Sequence, residues 1–142
     1  RDRQSKYYLK NKDSIRLRHN KNVKKRYHKD PVYRLRMNIS RVLRASFLKK
    51  GFSKNTRTYE VLGCSYEDFL EYLNNNKYGF KTSDINMDID HIIPISSAIT
   101  KEDVILLNHH SNFQLLPSEY NRKIKKDKVF NQIHFENWLK GK

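Results

Sequence analysis

"DIDHIIPI", residues 88–95, sets an acid and an imidazole, Asp90 and His91, at the edge of a β-branched run. Ile89, Ile92, Ile93 and Ile95 favour burial, so Met87 to Ile95 reads as a strand stopped by Pro94. Downstream, "TKED" (100–103) supplies an N-cap for a short helix through Val104 to Leu107, and "NHHSN" (108–112) is a loop. "FQLLP" (113–117) is a second short strand closed by proline. Ser118 can cap a helix carrying Tyr120, Asn121 and the cations Arg122, Lys123, Lys125 and Lys126. Residues 87–127 therefore read as strand, loop, strand, helix, an α+β unit.

A unit of about 40 residues is too small to hold a core alone, so flanking helices must brace it. Asp30-Pro31 is a helix start, and Leu35, Ile39, Val42 or Leu43, and Ser46 or Phe47 form an apolar stripe over 31–48, with Gly51 at its end. Thr58 to Leu62 is a short helix ended by Gly63. Ser65 and Asp68 form a capping-box variant for a helix over 66–76 that buries Phe69, Leu70 and Leu73. The tail "FNQIHFENWLK" is a last amphipathic helix with Phe130, Ile133 or His134, and Trp138 as docking groups. Residues 5–29 read as a basic helix whose thin stripe is Ile15, His19, Val23 and Tyr27.

The chain has 142 residues, 37% hydrophobic and 32% charged, which suits one small core with an appended arm. No apolar stretch approaches a membrane span and no signal-peptide pattern opens the chain. It starts at Arg1 rather than Met, which gives the expectation of a piece of a longer protein. Cys64 is the only cysteine, which excludes an internal disulfide and any multi-cysteine zinc site and fits an intracellular, reducing compartment. Charge is divided unevenly. Residues 1–58 hold 20 Lys and Arg against 3 acids, and residues 59–142 hold 10 against 12, so +17 and −2 make up the net +15. A block of one sign points to a phosphate polymer, whereas a merely solvated helix surface mixes signs. The expected division is a basic helical arm over 1–58 and a second domain over 59–142.

"DIDHIIP" followed by "NFQLLPSEYNRK" resembles the HNH endonucleases, the ββα-metal nucleases, in the variant whose last motif residue is Asn. The wider stretch around it looks like small HNH proteins of phages and large viruses, some of them free-standing homing endonucleases. The resemblance covers roughly residues 58–128. It implies a small ββα-metal unit, a phosphodiester hydrolase activity on double-stranded DNA, and one divalent ion, Mg²⁺ or Mn²⁺. By resemblance His91 is the general base, and an imidazole titrating near neutrality suits that task. Asp90 and Asn121 are the implied metal ligands, a sparse oxygen set that suits a hard cation. Asn112 is the implied orienting residue for the His91 ring. Successive strand residues face opposite sides, so a bulge or twist is needed to bring Asp90 and His91 together.

Arg122, Lys123, Lys125 and Lys126 are expected to contact phosphates near the cut. Arg34, Arg41, Lys24 and Lys25 are the arm's candidate DNA contacts, with a steep salt dependence. Helix 31–48 is also a candidate surface for a homodimer. Taken singly, Asp90-His91 is a strand-end hydrogen-bonded pair and the two asparagines are turn and cap residues; only their joint order supports the nuclease reading. The loop "KTSDINM" before the strand departs from the viral relatives, which often carry Trp and Gly there, and zinc-knuckle cysteines are absent. His109 or His110 is an alternative ligand, and Cys64 reads as a small buried group. The alternative function is a non-catalytic nucleic-acid-binding module on an HNH shell, and a structural RNA-binding protein would explain the charge alone.

Overall fold

A computed structural model describes residues 2–142. Two helices open it, α1 (Asp2–Lys29) and α2 (Pro31–Lys49), followed by α3 (Thr58–Leu62) and α4 (Tyr66–Asn74). Strand β1 (Met87–His91), helix α5 (Lys101–Leu107) and strand β2 (Phe113–Pro117) come next. Helix α6 (Ser118–Tyr120) runs on into a wide π-helical turn, Asn121–Lys125, and α7 (Gln132–Lys140) closes the chain. The class is α+β, dominated by helix with one small antiparallel sheet.

Local chemistry accounts for the helix ends. Asp30 accepts the Tyr33 N–H at 2.9 Å ahead of Pro31, and Gly51 takes φ +77 just past α2. Thr100 and Asp103 exchange side-chain and backbone hydrogen bonds in a complete capping box at α5. At α4 Ser65 caps Asp68 N–H, while Asp68 accepts from the Ser65 hydroxyl at 2.7 Å.

The sheet pairs Met87 with Pro117 through His91 with Phe113, without a break in register. Alternation along β2 feeds two cores. Phe113 and Leu115 join Leu35, Ile39, Leu43 and Phe47 of α2 and Phe69 and Leu73 of α4 in the larger cluster. Leu116 turns the other way, to Tyr120 and Phe135, with Tyr78, Phe130 and Trp138 around them. The sheet is thus covered on both faces, which a two-stranded ribbon needs in water.

Two expectations change. The first strand ends at His91 rather than Ile95, because the Asn112 side chain takes over the backbone of Ile93: its Oδ1 accepts the Ile93 N–H at 2.9 Å and its Nδ2 donates to Ile93 C=O at 2.9 Å. With those groups satisfied, Pro94 leads into a single 3₁₀ turn, Ile95–Ser97. As its apolar stripe led us to expect, α2 joins the main core. Among the described residues, α1 is the one α-helix that contributes to neither cluster. Its Ile15, Val23 and Tyr27 are half-buried while His19 is exposed, and Tyr27 Oη donates to Asn38 Oδ1 at 3.0 Å. Lastly, the tail docks through fully buried Phe135, with His134 hydrogen-bonded to the Tyr120 hydroxyl at 3.1 Å, while Ile133 is 73% exposed. Phe135→Ala should therefore cost about 3–5 kcal/mol in urea denaturation. Ile133→Ala should stay within about 0.5 kcal/mol. Equal losses would contradict this packing.

Candidate active site

β1 presents Asp88 and Asp90 from one face, two residues and so roughly 7 Å apart. The segment after β2 crosses that face. Asn121 and Lys125 lie four residues apart on it, roughly 6 Å along a helix, so each can meet one carboxylate. The match is realised. Arg122 forks onto Asp88 through Nε (2.9 Å) and Nη2 (2.8 Å), Ser118 Oγ donates at 2.8 Å, and Asn121 Nδ2 donates at 3.2 Å. Burial alone would raise the Asp88 carboxyl, but hydrogen bonds from Arg122, Ser118 and Asn121 outweigh it and hold it below the usual range.

Asp90 faces a different balance. Lys125 Nζ lies 2.9 Å from Asp90 Oδ2, and the two side chains are 2% and 14% exposed. The approach is not well aligned, so Oδ2 is buried without a proper hydrogen bond. Burial pushes the Asp90 carboxyl above its ordinary value despite Lys125. The expectation that Lys125 faces a phosphate is corrected here. The wide turn at Asn121–Lys125 brings this one cation of the run inward.

His91 is turned to the opposite face of the sheet, its ring 4.4 Å from Phe113 between centroids. Its Nε2 lies 3.0 Å from Asn108 Oδ1, and Asn108 is fully buried with Nδ2 donating to Val104 C=O at 2.8 Å. That second bond fixes the amide, so Oδ1 faces the ring and Nε2 must carry the hydrogen. Nδ1 is left as the basic nitrogen, with no hydrogen-bond partner among the described residues. Burial holds the imidazole below its ordinary pKa of 6.5, against the raising influence of Asn108 and Asp90.

No bulge brings Asp90 and His91 together, because the pairing runs straight through them. They share a depression of about 270 Å³ at the end of the strand, bounded also by Lys125, Lys126 and Lys49. Residues of both strand faces line it because it lies along the unpaired edge of β1.

Asn112, expected to orient the ring, braces the backbone instead: besides Ile93 it donates to Leu107 C=O at 2.8 Å. The ring is held by Asn108, which the sequence presents only as a polar residue closing an apolar helix. Asn121 borders a neighbouring depression of about 500 Å³ together with Asp88, Arg122, Arg34 and Arg41. Lys123 pairs with Glu119 at 3.6 Å, Lys126 is exposed at φ +51, and Lys24 and Lys25 are exposed on α1. His110 Nδ1 donates to Leu62 C=O at 2.9 Å and His109 lies against Gly63, so neither histidine lines the Asp90–His91 depression. Burial, then Asp68, raises the Cys64 thiol, which argues against a nucleophile.

Among the described residues no set of three or more His, Cys, Asp or Glu is arranged for an ion. The implied pair, one carboxylate and one amide, offers oxygens of the kind a hard cation takes, but Asn121 meets Asp88 and borders the larger depression whereas Asp90 borders the smaller. Asp90 Oδ2 is a buried oxygen lacking an aligned partner, Asn121 Oδ1 has none among the described residues, and an ammonium already stands beside Asp90. No known protein family, curated protein or solved structure matches the chain.

The His91–Asn108 contact has a direct consequence. Asn108→Asp places a carboxylate against Nε2–H, so the His91 pKa should rise above the wild-type value in an NMR titration of its Cε1 proton. An unmoved titration would contradict the contact. In the wild type the fold holds the neutral ring while the unfolded chain titrates near 6.5, so this contribution to stability is complete above that pH and is lost as pH falls below it.

Proposed function

We propose that this chain is a metal-dependent DNA endonuclease of the HNH type. The observation that carries the reading is His91: a neutral imidazole with its tautomer fixed, its basic Nδ1 free, beside a buried carboxylate at the edge of a ββα unit. Asp90 and Asn121 would hold a Mg²⁺ or Mn²⁺ ion, which when bound polarises the phosphate and offsets charge on the leaving 3′ oxygen. His91 Nδ1 takes the proton of a water that attacks phosphorus as the bond to the 3′ oxygen breaks, leaving 5′-phosphate and 3′-hydroxyl ends. Asn108 keeps the ring in the accepting tautomer, and Asn112 holds the chain just beyond His91. Arg122, fixed by Asp88, presents the rest of its guanidinium to solvent at the mouth of the neighbouring depression. The exposed cations of α1 supply affinity through counterion release.

A second reading, a nucleic-acid-binding module without catalysis, draws on one observation: Lys125 already neutralises Asp90. No helix among the described residues is long and apolar enough to cross a membrane.

Supercoiled plasmid separates the two. Wild type should cut it with Mg²⁺ or Mn²⁺ and not with EDTA, and His91→Ala should lower the rate by about 10²–10⁴-fold. The acid limb of the pH–rate profile should lie below pH 6.5, because burial lowers the His91 pKa. Salt-dependent DNA retention without cutting under either divalent ion would leave the binding module as the function.

A further inference from the structure

The two depressions beside β1 share Val42, and α2 forms one wall of both. Among their α2 residues are Arg34, Asn38, Arg41, Ala45 and Lys49, spaced by threes and fours and so on one helical face. That face lies beside the buried stripe Leu35, Ile39, Leu43 and Phe47. The other wall is made of consecutive β1 residues from Met87 to His91, hence the strand's free edge, and of the segment from Asn121 to Asp127.

Charge identifies the occupant. Three acids line the two depressions, Asp88, Asp90 and Asp127, and each is already paired: with Arg122, Lys125 and Lys49 respectively. Arg34, Arg41 and Lys126 remain without an ion-pair partner among the described residues. Six cations against three acids leave the lining at +3 with His91 neutral. An excess of unpaired cations of this kind suits a polyanion's backbone.

We propose that the two depressions are one groove that seats the sugar–phosphate backbone of a single DNA strand. Arg34 and Arg41 hold phosphates on one side of the phosphate presented to His91, with Arg41 the nearer. From Arg34 to Lys49 the helix rises ~22 Å, the axial rise of about six nucleotides, and Arg34 and Arg41 are ~10 Å, or about three nucleotides, apart. This placement rests on the nuclease reading for the identity of the central phosphate. The strand's path along α2 does not depend on cutting.

The test measures binding alone, in the full chain carrying His91→Ala, so that it stands whether or not the protein cuts. Binding of fluorescein-labelled DNA, single-stranded and duplex in parallel, is followed by anisotropy between about 50 and 200 mM salt. Arg34→Glu with Arg41→Glu is compared with Arg36→Glu with Arg44→Glu, which makes the same charge change on α2 outside the groove. The groove pair should lower the slope of log K against log salt by about 1.8 on duplex and about 1.4 on single strand, two contacts' worth. The control pair should lower it by less than half as much. Glutamine versions of the groove pair should give the same order, and circular dichroism confirms folding. Equal losses from both pairs, or a groove effect on duplex only, would overturn the single-strand track. Cleavage of plasmid with no groove effect would overturn the track and spare the nuclease reading. A groove effect without cleavage would do the reverse.

Discussion

Asp88 and Asp90 leave β1 on the same face, and each is met by a cation from the segment that follows β2. The two-stranded sheet is too small to persist by itself, and this pairing sets the α6 segment across it. Breaking the Asp90–Lys125 contact would leave an almost fully buried ammonium without its carboxylate. The Arg122–Asp88 fork is more open and adds geometric definition more than energy. From that crossing follow the course of the turn to α7, the burial of Tyr120 against Phe135, and the edge of β1 left open toward α2.

The open edge explains how an acid and an imidazole on opposite faces of one strand come to share a depression. A strand edge exposes alternating side chains together, so no distortion of the ladder is required. The two residues then experience different surroundings. Asp90 is desolvated against an ammonium, whereas His91 is desolvated against an aromatic ring and an amide. Burial disfavours charge on both, raising one pKa and lowering the other, and the pair is driven toward a state in which the imidazole is the available base.

Much of this was legible in the sequence. Asp30-Pro31, Thr100 with Asp103 and Gly63 mark helix ends through strictly local hydrogen bonds and dihedrals, so they can be read from neighbours alone. The two strands and the apolar stripe of α2 follow from periodicity. What was not legible depends on contacts distant in sequence. Asn112 ends β1 from 19 residues away. Asn108 looks like an ordinary helix-closing residue, and nothing local couples it to His91. Lys125 sits in a run of identical charges, and only the wide turn, which alters the phase of the helix, determines which of them points inward. The charge division at residue 58 describes composition, and the stripe on α2 overrides it in packing.

We propose that Asp90 and Asn121 form a seat for one cation beside His91. Titrating the His91→Ala protein with Mn²⁺ and following its amide NMR spectrum tests this directly, since the paramagnetic ion broadens nearby resonances first. Asp90 and Asn121 should fade at substoichiometric Mn²⁺, with Lys125 shifting as its ammonium is displaced. Broadening centred on the exposed acids Glu67 and Glu71 of α4, with Asp90 and Asn121 unaffected, would contradict it.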